Sequence, residues 1–225
     1  MELTQDTRTA ILAAARELMF ESGFDRTTMR GIAERAGVSL GNAYYYFAGK
    51  DDLIQGIYDE VAAEHQVRTR AAVRGKRGLG PRITASLLVL VDICDEYEPV
   101  ADALLTRGIA PRGPLNPFSR ESARARELFI ETCTELVEGS RGRIDAELRA
   151  ALPELLWLVQ LATTLGWVQD LSEGKVATRR SVERLGTTLG RVVSLSRVPA
   201  VRPLVRVLLE QLADLHVARP GWAEL

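Results

Sequence analysis

The side chains whose types and spacing could do chemistry are concentrated in one stretch, TTMRGIAERAGVSLGNAYYYFAGK, which runs from Thr27 to Lys50. It combines hydroxyls, an amide, three consecutive tyrosines and a lysine. Such groups donate hydrogen bonds to phosphate oxygens and to the edges of bases. Three adjacent tyrosines on a helix point in different directions, so the residues alone leave open which of them are core and which are surface. Whether these side chains can contact a nucleic acid depends on the helices that carry them.

The remaining reactive side chains form no catalytic or metal-binding pattern. His65 and His216 lie far apart in the sequence, and neither has a cysteine or carboxylate at catalytic spacing. Cys94 and Cys133 have no further ligand at metal-binding spacing. A phosphate loop and a dinucleotide-binding fingerprint are both absent from the sequence. We therefore predict no enzymatic activity, no metal site and no cofactor.

Two charge clusters admit more than one interpretation. The segment 68–82 carries six basic side chains, three glycines, a proline and no acid. It is either a solvated connector between helices or a DNA-binding patch, and its glycines favour the connector. The acidic cluster consists of Asp92, Asp95, Glu96 and Glu98. Because no histidine accompanies it, we interpret it as a solvated face and not as a metal site.

Composition limits the class of protein. Of 225 residues, 46% are hydrophobic and 26% are charged, which indicates one or two folded domains. The net charge is -1, and residues 1–50 carry six basic and six acidic side chains, so binding to nucleic acid must rely on placed donors. The N-terminus lacks the pattern of a signal peptide, and the longest uncharged apolar stretch, 155–169, is shorter than a membrane helix needs. With only two cysteines, these features predict a cytoplasmic protein without a membrane partner.

Apolar spacing and turn residues predict an all-α fold. Residues that favour helices dominate the composition, and glycine and proline are confined to a few places. Apolar residues recur at intervals of three and four, as in the first predicted helix, where they lie at positions 11, 14, 15, 18 and 19. Helices are predicted at about 7–22, 28–36, 39–46, from 51 onward, 81–97, 99–106, 119–138, 151–172, 178–196 and 200–217.

The second and third predicted helices meet the demands of a helix-turn-helix at about 28–47. Ala33 is small where the two helices would cross, and Gly37 can adopt a turn conformation that costs other residues free energy. Val38, Ala43 and Phe47 can point inward and pack the second helix on the first. The outer side is then left to small, polar and aromatic side chains that can enter a major groove, namely Ser39, Leu40, Gly41, Asn42, Tyr45 and Tyr46.

This stretch resembles the N-terminal domain of TetR-type transcriptional regulators. The matching residues occur in the same order and spacing as in that family: Phe20, Gly23-Phe24, Thr27-Thr28, Ile32-Ala33, Ala36-Gly37-Val38-Ser39, Gly41, Tyr44, Phe47, Lys50 and Leu53. The match covers about residues 7–55. Tyr46 stands where the family commonly has histidine, and a tyrosine hydroxyl keeps a donor that can reach a phosphate.

The resemblance implies the domain organisation and the DNA contacts. It implies a three-helix DNA-binding domain at 1–65, a helical ligand-binding and dimerisation domain at 66–225, and a pseudo-palindromic operator as partner. Tyr44, Tyr45, Tyr46 and Lys50 would contact phosphates, and Ser39, Leu40, Gly41 and Asn42 would face the groove. Thr28 and Arg30 complete the predicted set.

The eighth and ninth predicted helices are expected to form a homodimer interface. The eighth is apolar almost all round, so more than one of its sides must be covered. In the ninth, Gly186 and Gly190 lie one turn apart and permit a close approach of helices. The predicted interface is Leu158, Leu165, Val182, Leu185, Gly186, Leu189, Gly190 and Val193. An ordinary core pair within one subunit remains the alternative.

The resemblance also implies a ligand inside the second domain. The residues expected to line its pocket are Tyr97, Phe118, Phe129, Thr132, Cys133, Trp157, Gln160 and Trp167, and each could instead be plain core. Together they predict a small apolar or aromatic ligand. The expected function is a sequence-specific repressor released from its operator by that ligand. A transcriptional activator of the same fold and a helical interaction module that ignores DNA are the alternatives.

Overall fold

The structure is a computed structural model, and it describes residues 2–111, 113–142, 144–196 and 207. Helices are the regular elements of this part of the chain and no strand occurs in it, which confirms the predicted all-α fold. The α-helices are α1 Glu2–Ser22, α2 Met29–Arg35, α3 Leu40–Tyr46, α4 Lys50–Ala72, α5 Leu79–Glu96, α6 Ala101–Gly108, α7 Ala123–Glu138, α8 Ala146–Gln169 and α9 Val176–Leu195. Short 3-10 turns span Glu98–Val100 and Glu173–Lys175.

The chain divides into two compact units. The first contains residues 1–61 and 96–125, and the second contains 62–95 and 126–225. The α4 helix begins in the first unit and ends in the second. The predicted boundary at residue 65 therefore lies close to the division within α4, but the sequence did not indicate that 96–125 would join the N-terminal unit.

Side-chain contacts explain why 96–125 joins the first unit. Tyr97 packs edge-on against Phe20 of α1, with ring centroids 5.5 Å apart. Arg107 donates to a carboxylate oxygen of Asp25 over 2.9 Å. Gln55 of α4 donates to the hydroxyl of Ser122 over 3.0 Å. These contacts join residues far apart in the sequence, so no local pattern could reveal them.

The connector within the basic segment 68–82 is shorter than predicted. The α4 helix continues to Ala72 and α5 already begins at Leu79, so only the residues between them connect the helices. The helix continues past residue 68 because the buried Gln66 and Thr69 keep its inner face covered. The basic residues Arg68 and Arg70 lie on this last part of α4, where Arg70 pairs with Glu135 of α7.

Both ends of α8 also differ from the sequence predictions. The α8 helix begins at Ala146, because the Asp145 carboxylate caps it by accepting from the backbone N–H of Glu147. Pro153 lies inside this helix and does not end it. The helix ends at Gln169, and Asp170 instead accepts from the backbone N–H and hydroxyl of Thr178 in α9. Asp170 also accepts from the backbone N–H and the hydroxyl of Ser172. The four hydrogen bonds together hold the pKa of Asp170 well below its usual range. The tenth predicted helix, 200–217, lies outside the described residues except for Val207, which is helical.

The glycines of α9 pack against the start of α5 in the same chain. A Cβ atom at Gly186 would lie 3.1 Å from the carbonyl oxygen of Gly80, and one at Gly190 would lie 2.8 Å from the Cα of Gly80. Val182 and Val193 on the same side of α9 are also buried. The sequence correctly indicated a close helix approach, but the structure fills that space with α5 and not with a second subunit.

His65 is a fully buried imidazole in the second unit. Its Nε2 lies 3.1 Å from the carbonyl oxygen of Ser86, which can only accept, so Nε2 carries the proton. Its Nδ1 is buried and has no partner among the described residues. Burial lowers the pKa of His65 to about 4, against the opposing effect of the hydrogen bond to Ser86. The folded protein therefore holds a neutral histidine.

This burial should make the stability depend on pH below neutrality. An unfolded histidine binds a proton near pH 6.5, whereas folded His65 stays neutral until about pH 4. The unfolded state then binds more protons between these values, so stability falls as the pH falls. We expect the free energy of unfolding to decrease by about 2 kcal/mol between pH 7 and pH 5 from this group.

Urea denaturation at the two pH values, followed by circular dichroism, measures this decrease. The variant His65→Phe keeps an aromatic ring beside Phe129 but cannot titrate, so its stability should change far less over the same interval. An equal decrease in the variant would show that other groups cause it.

Candidate nucleic-acid interface

The first helix of the predicted motif, α2, is held by a cap, a buried face and an ion pair. Thr28 precedes it in an extended conformation, and its hydroxyl oxygen accepts from the backbone N–H of Gly31 over 3.1 Å. Ile32 and Ala33 are buried on its inner side. Arg35 at its end forms two hydrogen bonds, of 2.9 and 2.8 Å, with the carboxylate of Glu21 in α1. These hydrogen bonds lower the pKa of Glu21 and fix α2 on α1.

A backbone turn at Gly37 joins α2 to α3. Gly37 has a φ of 69°, in the left-handed region that is costly for other residues. The backbone N–H of Val38 then donates to the carbonyl oxygen of Ala33 over 2.9 Å, as expected when a glycine ends a helix. The turn therefore sets the angle at which the chain leaves α2.

The second helix, α3, is capped and anchored at both ends. The Ser39 hydroxyl oxygen accepts from the backbone N–H of Asn42 over 3.1 Å. Ala43 is fully buried, as is Phe47 directly after the helix. Arg8 of α1 lies over the Phe47 ring, 5.0 Å from its centroid. Ala43 is thus the one fully buried residue of this seven-residue helix, and Gly41, Tyr44 and Tyr45 are exposed.

The structure brings the predicted DNA-contacting residues onto one short segment and its flanks. Tyr45 is 78% exposed, and its ring packs edge-on against Tyr46 at 5.1 Å between centroids. Tyr44 is also exposed, and Tyr46 is half-buried. Of the remaining set, Thr28, Arg30, Ser39 and Gly41 are exposed, and Leu40 and Asn42 are half-buried. No tyrosine of this run is core, which decides the question that the sequence left open.

Lys50 has a structural role that the sequence did not reveal. Its ammonium donates to the carbonyl oxygen of Phe24 over 2.9 Å and lies 4.3 Å from the centroid of the Phe24 ring. Arg107 lies on the same ring at 3.8 Å. Both cations therefore help to fix the end of α1, and the predicted contact between Lys50 and phosphate stays a prediction.

The predicted ligand-pocket residues divide between the two units. Tyr97 and Phe118 belong to the first unit, and the other six belong to the second. Thr132, Cys133, Trp157, Gln160 and Trp167 are buried, and Phe129 is half-buried. Two have polar partners that hold them in place: Thr132 donates to the carbonyl oxygen of Leu128, and Trp167 donates to Asp95 over 2.6 Å. The side-chain oxygen of Gln160 is buried without a partner in the part of the chain that the structure describes.

Two residues of the acidic cluster, Asp92 and Asp95, form ion pairs within the second unit. Arg179 of α9 donates to both carboxylates over 2.7 Å. This arrangement ties α9 to α5, so these two acids are an anchor and not merely a solvated face.

The α8 and α9 helices expose an apolar face. Leu165 of α8 is 48% exposed and Val192 of α9 is 51% exposed. On a helix of 3.6 residues per turn, Val192 lies on the side of Leu185 and about 120° from the buried Gly186. By length and composition α8 could cross a membrane, the single such helix in the described part, but core helices of soluble proteins pass the same test.

Family models match most of the chain. The model described as bacterial regulatory proteins, tetR family, matches residues 11–57. The model described as tetracyclin repressor-like, C-terminal domain, matches residues 82–210. The second match alone covers more than half of the sequence. The chain belongs to the TetR family. It is accordingly a DNA-binding transcriptional regulator, and the resemblance inferred from residues 7–55 is confirmed.

Curated TetR relatives share the N-terminal region with this chain. The HTH-type transcriptional regulator TtgR of Pseudomonas putida is 38% identical over 71 residues, which are 32% of this chain and 34% of that protein. The HTH-type transcriptional regulator HbdR of Aromatoleum sp. is 42% identical over 53 residues, which are 24% and 23% of the two chains. The match spans only about a third or less of the length of these relatives.

Solved structures of TetR proteins show the same fold over most of the chain. A TetR transcriptional regulator from Nitrosomonas europaea is 21% identical, covers 82% of this chain and 97% of its own, and has a TM-score of 0.60. Thermus thermophilus FadR, a TetR repressor solved with lauroyl-CoA, is 21% identical, covers 80% and 93%, and has a TM-score of 0.59. At this identity, the likeness concerns the fold alone.

A side chain at Gly37 should destabilise the turn between α2 and α3. The change Gly37→Ala should lower the free energy of unfolding by about 1 kcal/mol, because a Cβ atom is strained at positive φ. Gly41 lies inside α3, and no atom lies within 4 Å of a Cβ built there, so Gly41→Ala is the matched control.

Thermal denaturation followed by circular dichroism compares the two variants. The control should be as stable as the parent or slightly more so, because alanine favours a helix over glycine. Equal stability of both variants would contradict a strained turn.

Proposed function

We propose that this TetR-family protein is a homodimeric repressor that binds a pseudo-palindromic operator through α3 and leaves it when a small apolar ligand binds. The observation that carries the proposal is the outer face of α3, where Tyr44 and Tyr45 are exposed. Because they are exposed, neither ring stabilises the fold through burial. Adjacent exposed tyrosines present both apolar rings and hydroxyl donors to a partner. The regulator would act in the cytoplasm, where its DNA lies.

The hydroxyl groups at the two caps support a role in DNA contact. Thr28 and Ser39 use their oxygen atoms to accept from backbone N–H groups, at 3.1 Å in both cases. Their own protons remain available for donation to phosphate oxygens. Tyr44, Tyr45 and the exposed Arg30 add donors of the same kind, whereas Lys50 would have to leave the Phe24 carbonyl to take part. We therefore rank Lys50 below the tyrosines as a phosphate contact.

The change Tyr45→Phe tests this face, because it removes only a hydroxyl and keeps the ring packing with Tyr46. We expect the affinity for the operator to fall about tenfold, which corresponds to the loss of ~1.4 kcal/mol. The operator is first selected from random duplexes with the purified protein, and affinity is then measured by fluorescence anisotropy.

The matched control is Tyr58→Phe, which removes a tyrosine hydroxyl from the same unit at a largely covered position. Burial raises the pKa of Tyr58 to about 12, as expected for a hydroxyl away from solvent. This variant should bind the operator as tightly as the parent. Unchanged affinity in Tyr45→Phe would show that the Tyr45 hydroxyl does not contact the operator. The absence of any enriched duplex would favour a helical interaction module over a DNA-binding regulator.

The dimer proposal rests on the exposed apolar face of α8 and α9. In α9, Ala177, Ser181, Leu185, Thr188 and Val192 recur every three or four residues and include no charge. In α8, Leu158, Ala162 and Leu165 lie on one side and are half-buried or exposed. Two copies could pair these faces across a two-fold axis, as the family's dimers do. Leu158, Leu165, Leu185 and Leu189 thus stay in the proposed interface, whereas the residues buried against the same chain leave it, namely Val182, Gly186, Gly190 and Val193.

A charge in this face should separate the dimer. Either Leu165→Glu or Val192→Glu would place a carboxylate in the apolar interface and should raise the dimer dissociation constant more than tenfold. Val176→Glu is the control, because Val176 is equally exposed but lies on the opposite side of α9 from Leu185.

Light scattering coupled to size exclusion reads the mass of each variant. Monomers in the two interface variants and a dimer in the control would support the proposal. A dimer in all three would place the interface elsewhere, and a monomeric parent would refute the homodimer.

The ligand proposal rests on the buried aromatic and amide side chains of the second unit. Trp157 and Trp167 are buried, and the buried oxygen of Gln160 lacks a partner among the described residues. An apolar ligand with one hydrogen-bond donor would suit such a lining. FadR of Thermus thermophilus, which shares the fold, was solved with lauroyl-CoA, a ligand with an apolar chain. A ligand of this class should release the operator in the anisotropy assay described for Tyr45.

A further inference from the structure

The second unit contains a cationic cleft that the proposed function does not use. It lies where α4 and α7 end, and its volume is about 440 Å³. Six of its thirteen lining residues are basic and one is acidic: Arg70, Arg74, Lys76, Arg77, Arg82 and Arg141 against Glu135. This concentration of positive charge is unusual in a chain whose net charge is -1.

Hydrogen bonds hold the two turns that form the cleft together. The backbone N–H of Arg141 donates to the carbonyl oxygen of Arg77 over 2.6 Å, which joins the turn after α7 to the turn after α4. The guanidinium of Arg82 donates to the carbonyl oxygens of Leu136 and Lys76, over 2.9 and 3.2 Å. Gly139 leaves room for this guanidinium, because a Cβ atom there would lie 2.8 Å from Arg82 Cζ. The cleft therefore has a fixed backbone.

Two of the six basic side chains, Arg70 and Arg82, form contacts that hold the walls of the cleft together. Arg70 forms a bidentate ion pair with Glu135, whose Oε2 lies 2.8 Å from Arg70 Nε. Arg82 donates to the carbonyl oxygens of Leu136 and Glu135 at the C-terminal end of α7, where positive charge is favoured. The acid of the cleft is thus already paired, and the carbonyl groups at the end of α7 already have a cation.

The other four cations have no such role. Arg74, Lys76, Arg77 and Arg141 are exposed, and their side chains form no hydrogen bond or ion pair with any described residue. Four like charges around one concave site repel each other and attract anions from solution. This repulsion destabilises the fold, and no contact of these side chains within the described chain offsets it.

We propose that this cleft binds a small molecule that carries two adjacent phosphate groups. A diphosphate has a charge close to that of the four unpaired cations, and the arginine guanidinium matches the geometry of phosphate oxygens. A concave site of this volume suits a small molecule better than the broad, convex backbone of a duplex. The diphosphate could be free or part of a nucleotide, and the shared chemistry is the same.

Calorimetry with the purified full chain tests this proposal, with inorganic pyrophosphate as the probe at constant ionic strength. We expect saturable binding of one pyrophosphate per chain. The double variant Arg74→Ala/Arg77→Ala should weaken it at least tenfold, because two charged contacts are lost. Both side chains are exposed and unpaired, so folding should be unaffected, as the thermal midpoint will show.

The matched control is Arg120→Ala/Arg180→Ala, which removes two exposed arginines that lie outside the cleft lining. This control should bind pyrophosphate like the parent. Tighter binding of ADP than of pyrophosphate would identify a nucleotide as the source of the diphosphate, and weaker binding would identify the free anion.

Three results would overturn the proposal. They are the absence of saturable binding, equal affinity for citrate, which would indicate attraction of any anion, and equal weakening in the control variant. If pyrophosphate does not bind but the cleft variant loses affinity for duplexes that lack the operator, the cleft contacts DNA instead. None of these measurements requires the operator, so they can fail independently of the proposed repressor function.

Discussion

The arrangement of the DNA-facing segment depends on one backbone turn. Both α2 and α3 have seven residues, and isolated helices of that length are unstable in water. Their existence and mutual angle therefore rest on the left-handed Gly37, the two hydroxyl caps, and the buried Ile32, Ala43 and Phe47. Because these few groups suffice to hold α3, its outer side chains have no structural task and remain available for a partner.

Charged residues likewise divide into those that hold helices in place and those that form no contact within the described chain. In the N-terminal unit, Arg35 and Lys50 are used to fix α2 and the end of α1. In the second unit, Arg70, Arg82 and Arg179 fix helix ends and helix pairs. The cations that remain unpaired are the informative ones, because their self-repulsion is not balanced by a contact within the described chain.

The α9 helix has one side packed within its own chain and another side exposed. One side of α9 packs its glycines on Gly80 so closely that a Cβ atom would meet backbone. The opposite side keeps an uncharged stripe that includes Leu185 and Val192. The close contact with α5 holds α9 in the orientation that exposes this stripe, so packing within the chain presents the face offered to a second copy.

The sequence by itself determined the helical class, the helix-turn-helix and the family, because those depend on short-range signals. Helix periodicity, the caps Thr28 and Ser39, and the glycine of the turn lie within a few residues of the elements they define. The outer positions of α3 follow from the same spacing, but the structure was needed to show that Tyr44 and Tyr45 are exposed and Tyr46 is half-buried.

Only the tertiary structure decided which partners the long-range contacts join. It assigned 96–125 to the N-terminal unit, directed Gly186 toward α5, and placed Lys50 on the Phe24 carbonyl. It also gathered Arg74 and Arg141 into one cleft across more than sixty residues of sequence, where the run of basic residues alone indicated a connector. These outcomes depend on packing between residues distant in sequence, and periodicity and spacing carry no information about such pairs.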